Sequence, residues 1–201
     1  MSSVTIRPAT HDDIPSMLSI FFSAFSASPL NARCFNSSAA DVQAYQTSFL
    51  QTGIDGQNGN FMVVAEDDFQ ILGWARWVRK ETPSPSKKIH PSMYPASGDQ
   101  VLAAHFFQVN ADATAKYVAG EKHWFLSTIA TAKDAQRRGV GSALMKFGVE
   151  RADEEGWMSY INSSDEGKGL YEKFGYRVVG TSGFPDLGMV QYHMKREAVK
   201  G

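Results

Sequence analysis

Phe125-Leu126-Ser127-Thr128-Ile129-Ala130-Thr131, a polar turn Ala132-Lys133-Asp134-Ala135, and then Gln136-Arg137-Arg138-Gly139-Val140-Gly141-Ser142 form the stretch on which the reading of this 201-residue chain turns. Residues 125–131 are rich in β-branched and apolar side chains, the composition of a strand. Ser142 to Glu155 reads as a helix, with Leu144, Met145, Phe147, Val149 and Ala152 available for burial and Gly156 placed as its C-cap. Strand, glycine loop and helix start together make an anion site. The first turn of a helix leaves backbone N–H groups unpaired and carries positive partial charge. Glycines at 139 and 141 remove the Cβ atoms that would hold a diphosphate off those amides, and Arg137 and Arg138 add charge at the rim. The segment therefore suits a pyrophosphate. A dinucleotide fingerprint wants a third glycine where Leu144 stands, and a P-loop wants Gly-Lys-Ser/Thr where Gly141 is followed by Ser142-Ala143. Both nucleotide readings fail on residues.

The motif that remains is the Q/R-x-x-G-x-G/A of the GNAT acetyltransferases, which Gln136 to Gly141 resembles closely. A second stretch, Leu170-Tyr171-Glu172-Lys173-Phe174-Gly175-Tyr176, is similar to that family's L-Y-E-K-x-G-F. The resemblance is strong from Trp124 to about Gly180 and looser over the rest, whose order of elements also looks like the GNAT fold. It implies an α/β fold (α+β by some schemes): a central mixed, mostly antiparallel sheet with splayed parallel central strands and helices on both faces. It implies acetyl-CoA as cosubstrate, with the pantetheine arm along the backbone of Ile129, Ala130 and Thr131 and the strand Met158 to Asn162 across the gap. Gln136, Arg137, Arg138, Gly139, Val140, Gly141 and Ser142 would then form the pyrophosphate loop, with no metal required.

By the same resemblance, Tyr171 stands near the CoA sulfur and protonates the departing thiolate. A phenol with an ordinary pKa of about 10 is protonated at neutral pH, as a general acid must be. The chain departs from the family's pattern at two places. Ser164 and Gly167 replace the Asn and Ala that commonly precede the tyrosine, and Ser164 remains able to hydrogen-bond the cofactor. Several members place a Glu or His on the strand before the glycine loop, where this chain has Phe125 and Ser127. His123 falls on the same face two residues earlier. The expectation is a water chain with no dedicated base, with His123 accepting the proton through water as the alternative and Ser127 as a further candidate beside it.

Outward from this segment, Val4 to Arg7 reads as a strand stopped by Pro8, and Ile14, Met17, Leu18, Phe21, Phe22 and Phe25 as one apolar helical face ended at Ser28-Pro29. A second helix is predicted over about 39–50. Phe61 to Ala65 has the pattern of a strand covered on both faces, and Ile71 to Arg79 that of its hairpin partner. Val101 to Tyr117 is predicted helical from Leu102, His105, Phe106 and Val109. Between them, residues 81–98 hold Pro83, Pro85, Pro91 and Pro95 with four serines, which excludes a helix or central strand. The 80 or so residues before it lack a partner sheet of their own, so it is read as a long loop within one domain spanning 1–201, a loop that closes over the acceptor site. That site is expected among the first helices and the hairpin around Trp74, Arg76 and Trp77, with Phe22, Phe25, Trp74 and Tyr94 divided between an aromatic pocket and core.

Twenty basic against 21 acidic residues leave no field for nucleic acid or a membrane surface. The single cysteine, Cys34, fits a reducing compartment, and the absence of a long apolar N-terminal run points to the cytoplasm. Three functions are compatible with these residues. One is acetyl transfer to a primary amine of a small molecule by direct attack in a ternary complex. The second is the same chemistry on a protein or peptide, and the third is CoA binding without turnover. A monomer or a homodimer is expected.

Overall fold

The computed structural model describes residues 4–68, 70–82 and 87–199. Seven strands are described: β1 (Thr5–Pro8), β2 (Asn60–Asp67), β3 (Gln70–Lys80), β4 (His123–Thr131), β5 (Met158–Ser163), β6 (Arg177–Phe184) and β7 (Met189–Arg196). They make one sheet in the order β1-β2-β3-β4-β5-β7-β6. Only β4 and β5 run parallel, at its centre; every other neighbouring pair is antiparallel. The helices are α1 (Ile14–Ala24), α2 (Pro29–Cys34), α3 (Ala40–Ile54), α4 (Gln100–Val118), α5 (Val140–Glu155) and α6 (Asp165–Lys173). None of the helices among the described residues is long and apolar enough to cross a membrane. The mixed, mostly antiparallel sheet with a parallel central pair and helices on both faces is the architecture expected from the sequence.

The continuous apolar run in β2 is buried from Met62 to Ala65 because helices cover both faces of the sheet. Two tryptophans three residues apart on β3 mark those faces. Trp74 points to α1 and its indole N–H donates to Met17 O at 2.9 Å. Trp77 points to α5, donating to Leu144 O at 3.2 Å, and its ring lies where a Cβ on Gly148 would be. Both are fully buried, so neither lines a substrate site, contrary to the sequence expectation. Ala130 and Trp74 share the α1–α3 core, while Leu126, Val140, Leu144 and Tyr171 share the α5–α6 core. A third cluster joins α2 and α4 to the β6–β7 end of the sheet through Leu30, Phe106 and Phe184. On that face α1 and α3 cover β2, β3 and the Ala130 end of β4, and α4 covers β5 to β7, so the His123 end of β4 is left to the cavity described below.

Ser28-Pro29 starts α2 instead of only ending the preceding helix: Ser28 Oγ accepts from Asn31 N–H at 3.5 Å, and Pro29 occupies the first turn, where its missing donor costs nothing. The described part of the proline-rich loop is held in place by hydrogen bonds and ring contacts. Pro83 to Ser86 lie outside the described residues, but from Lys87 onward the chain is pinned. Ile89 N–H donates to Gln108 Oε1 at 2.8 Å, and Tyr94 stacks on Phe107 with centroids 5.2 Å apart. Ser97 Oγ donates to Asp41 at 2.6 Å, and Asp99 caps α4 through Leu102 N–H at 3.0 Å.

Candidate active site

The parallel pairing of β4 with β5 runs from His123–Met158 to Leu126–Ile161 and stops. At the same level β4 slips its register against β3: Leu126 faces Trp77 and Thr128 faces Arg76, so Ser127 is the extra residue of a bulge. Beyond it Thr128 to Thr131 remain paired with β3, while their β5-facing edge has no strand partner. The gap opens alongside Ile129, Ala130 and Thr131, and it leads to the glycine loop at the strand's end.

In that loop Arg137 and Gly139 both adopt left-handed backbone, with φ of 63° and 87°. Gly139 is required by this conformation alone, since nothing lies within 4 Å of a Cβ built there. Gly141 sits close to α6: a Cβ there would come 3.2 Å from Leu170 Cδ2, so that side chain would have to give by a few tenths of an ångström. The backbone N–H groups from Gln136 to Ser142 find no acceptor among the described residues. A row of unpaired amides at a helix start fits a pyrophosphate, and so a CoA-type ligand. The two arginines differ. Arg138 leans on Asp67 at 3.5 Å, whereas Arg137 is exposed and without a partner among the described residues.

Tyr171 lies on the α5–α6 face, 6% exposed, edge-on to Tyr176 with centroids 6.2 Å apart. Its ring folds back over the first turn of its own helix, as helical side chains do. A Cβ on Gly167 would sit 2.8 Å from Tyr171 Cε2 and 3.1 Å from its hydroxyl, so glycine at 167 is what gives the ring this position. The departure from the family's alanine thus has a physical reason. Burial pushes the phenol above its ordinary range, and it stays protonated at neutral pH. Ser164 is the N-cap residue of α6 without a capping hydrogen bond from its side chain.

On the opposite face, a cavity of about 750 Å³ lies between β4 and α4. His123, Phe125 and Ser127 of β4 form its floor, α4 supplies Phe106, Asn110 and Thr114, and Ile89 and Tyr94 form its roof. Phe22, Phe25 and Trp74 do not line it; of the four aromatics considered, only Tyr94 does. His123 is 4% exposed, and burial lowers its pKa. Its Nδ1 lies 2.9 Å from the carbonyl of Glu121, which can only accept, so Nδ1 carries the proton and Nε2 keeps a lone pair. The structure brings together His123 and Ser127 on the cavity; Tyr171 and the glycine loop lie on the other side of the β4–β5 gap.

Several lining residues were not singled out from the sequence: Lys80, Asn110, Thr114 and Asn162. Asn162 sits in a polar chain, with Oδ1 accepting from Tyr160 at 3.1 Å and 2.7 Å from His193 Nδ1, and Nδ2 donating to Thr114 at 3.1 Å. Asn110 and Thr114 continue the Leu102–Phe106 stripe of α4 at spacings of four, so polar residues on an apolar helical face were the available signal. Cys34 is buried, with its thiol pushed up to about 11 chiefly by burial, and is no nucleophile.

Residues 24–176 match the family model described as the acetyltransferase (GNAT) family. Solved structures share the fold. One, from Corynebacterium glutamicum, is described as histone acetyltransferase HPA2 and related acetyltransferase; it is 23% identical, with a TM-score of 0.66 over 100% of this chain and 99% of that one. The polyamine N-acetyltransferase of Drosophila melanogaster, which forms N-acetylagmatine, is 14% identical with a TM-score of 0.72 over 97% and 100% of the two chains. The PaiA N-acetyltransferase of Thermoplasma acidophilum, solved with coenzyme A, is 11% identical with a TM-score of 0.62 over 97% and 99%.

Proposed function

The chain belongs to the GNAT acetyltransferase family, acyl-CoA-dependent N-acyltransferases, and from that premise we propose that it moves an acetyl group from acetyl-CoA to the primary amine of a small molecule. The observation that carries the small-molecule reading is the cavity of about 750 Å³ beside the point where β4 and β5 part. Its volume is that of a small-ligand site, and Ile89 and Tyr94 border it opposite the strand. The small-amine chemistry of the Drosophila enzyme supports the same class of acceptor.

Acetyl-CoA supplies a thioester carbonyl as the electrophile. In this reading the amides from Gln136 to Ser142 hold the pyrophosphate, Arg137 adds its charge, and the open edge of Ile129, Ala130 and Thr131 aligns the pantetheine arm. Ser164 donates a further hydrogen bond to the cofactor. The acceptor enters from the cavity as an ammonium and loses one proton through water, with His123 Nε2 as the acceptor at the end of that chain and Ser127 positioned to relay it. The neutral nitrogen attacks the carbonyl carbon, backbone N–H groups of β4 stabilise the oxyanion, and the C–S bond breaks. Tyr171 gives its phenolic proton to the leaving sulfur, and the proton that the attacking nitrogen then sheds returns through water to the phenolate. The products are the N-acetyl amine and CoA thiol, and the whole works within one domain, as monomer or homodimer, in the cytoplasm.

Thiol release from acetyl-CoA, followed across a panel of small amines, peptides and no acceptor, tests the reading. Turnover with a small amine and none above background with peptides is the expected result. Turnover with peptides alone would overturn the small-molecule assignment, and CoA binding without thiol release for any acceptor would overturn transfer itself.

A further inference from the structure

The cavity has two chemically different ends. At the level of the β4–β5 gap, Asn110 is 7% exposed and its Nδ2 donates to Phe106 O at 2.9 Å, but its Oδ1 is buried without a donor. That oxygen is closed off from the cavity, so it is no contact for a ligand there. Asn162, which faces the same space, is already engaged by its own neighbours. Ser127, at the bulge of β4, is the polar side chain beside the gap that the amine must reach.

At the other end, Lys80 pairs in register with His123 and lines the cavity beside it. Lys80 has no ion pair among the described residues, and the one charged group acting on it is another cation, Arg76. Arg76 itself spends its side chain on Asn60 Oδ1 at 2.8 Å and on the Phe49 ring at 4.3 Å, with no carboxylate. Among the described residues, no Asp or Glu lines the cavity. The carboxylates nearest in sequence are turned elsewhere: Glu81 is held by Arg79, and Glu121 is held by Lys195 at 3.2 Å. A half-buried cation with no counter-ion leaves a charge for a ligand to satisfy. CoA does not satisfy it, because β4 rises about 3.3 Å per residue and Lys80 stands at the opposite end of the strand from the glycine loop, about 26 Å away. Between the two ends the walls are apolar, with Phe106, Val118 and Phe125.

We propose that the acceptor is an amino carboxylate with an apolar spacer, its primary amine held beside Ser127 and its carboxylate paired with Lys80. From Lys80's level to Ser127 is four residues of strand, about 13 Å, of which the lysine stem covers part. The separation excludes an α-amino acid bound across both ends and selects an amine several bonds from the acid. The assignment rests on the acetyl-transfer reading above for the amine end only; the carboxylate end can be tested without turnover.

The probes are 4-(aminomethyl)benzoate, benzylamine, 4-methylbenzoate and a diamine of matching length, used with the native protein and with Lys80→Glu. Thiol release from native protein is expected to favour the amino carboxylate over benzylamine by about tenfold or more in kcat/KM, the size of a charge-assisted hydrogen bond. In Lys80→Glu that order reverses, and the diamine becomes the better acceptor, a gain that misfolding would not produce. Calorimetric titration of 4-methylbenzoate reads the carboxylate end alone, with binding to native protein and at least tenfold weaker binding to the variant. A native preference for the diamine, or carboxylate binding equal in both proteins, would overturn the inference while leaving acetyl transfer intact. Carboxylate binding lost in Lys80→Glu, with no thiol release for any amine, would support the anion site and count against the transfer reading instead.

Discussion

Replacing Tyr171 with Phe separates two roles that a buried aromatic often combines. The ring is 6% exposed and belongs to the α5–α6 core, so its apolar area is kept by Phe. The hydroxyl makes no hydrogen bond among the described residues, so deleting it removes no bond and relieves a desolvation cost of about 1–3 kcal/mol at most. For a chain of this length, each 1 kcal/mol moves Tm by about 2–4 °C. Tm of Tyr171→Phe should therefore stay level or rise by a few degrees. Loss of a general acid lowers kcat by about 10²–10⁴-fold, or roughly 3–5 kcal/mol in the barrier. Burial raises the phenol's pKa, so native kcat should show no alkaline limb from this group below pH 10. Calorimetry on both proteins, with thiol release under saturating acetyl-CoA, measures the pair of effects. A variant that keeps kcat within about threefold of native would refute the acid role, and a parallel loss of stability and rate would make Tyr171 a packing residue only.

Gly167→Ala puts a Cβ 2.8 Å from the Tyr171 ring. Helix propensity favours Ala by about 1 kcal/mol and overpacking costs about 1–3, so the net change should be a loss of up to about 2 kcal/mol by denaturant titration. Kcat should fall in the native background and not in Tyr171→Phe, since both changes act through one ring. Arg137→Ala should raise KM for acetyl-CoA about fivefold, about 1 kcal/mol and less at high salt, whereas Arg138→Ala should do less because that guanidinium already leans on Asp67. Arg7 grips Asp13 through two hydrogen bonds of 2.7 and 2.9 Å and lowers its carboxyl from 3.8 to about 2. A depressed carboxylate stabilises fully above 3.8 and loses that contribution as pH falls toward 2, so urea midpoints should drop over this window. Asp13→Asn, at a site only 9% exposed, should remove about 1–2 kcal/mol at pH 7 and flatten that part of the acid profile.

Local pattern was enough for the elements whose chemistry is local. The β4–loop–α5 unit is written in consecutive residues, because a glycine loop before a helix start acts through its own amides and needs no distant partner. The β2–β3 hairpin and α4 were legible for a similar reason: burial on two faces, or on one helical stripe, leaves a periodicity in the chain. The short α2 was not, since Ser28-Pro29 can end one helix as readily as begin another and six residues carry no periodicity. Nor was the side of the sheet to which Trp74 and Trp77 turn, which depends on strand register.

The acceptor site shows the division most clearly. By itself the sequence supplied a glycine loop at a helix start suited to a pyrophosphate and, through its resemblance to the GNAT family, Tyr171 and the parallel pair as expectations. Only the tertiary structure decided that α4 and the Ile89–Tyr94 turn border a cavity on His123 and Ser127, with Lys80, unpaired among the described residues, at one end. Those residues come from four separated segments, and whether a cation has a counter-ion, or an amide oxygen a donor, is a property of neighbours brought together in space that no run of consecutive residues records.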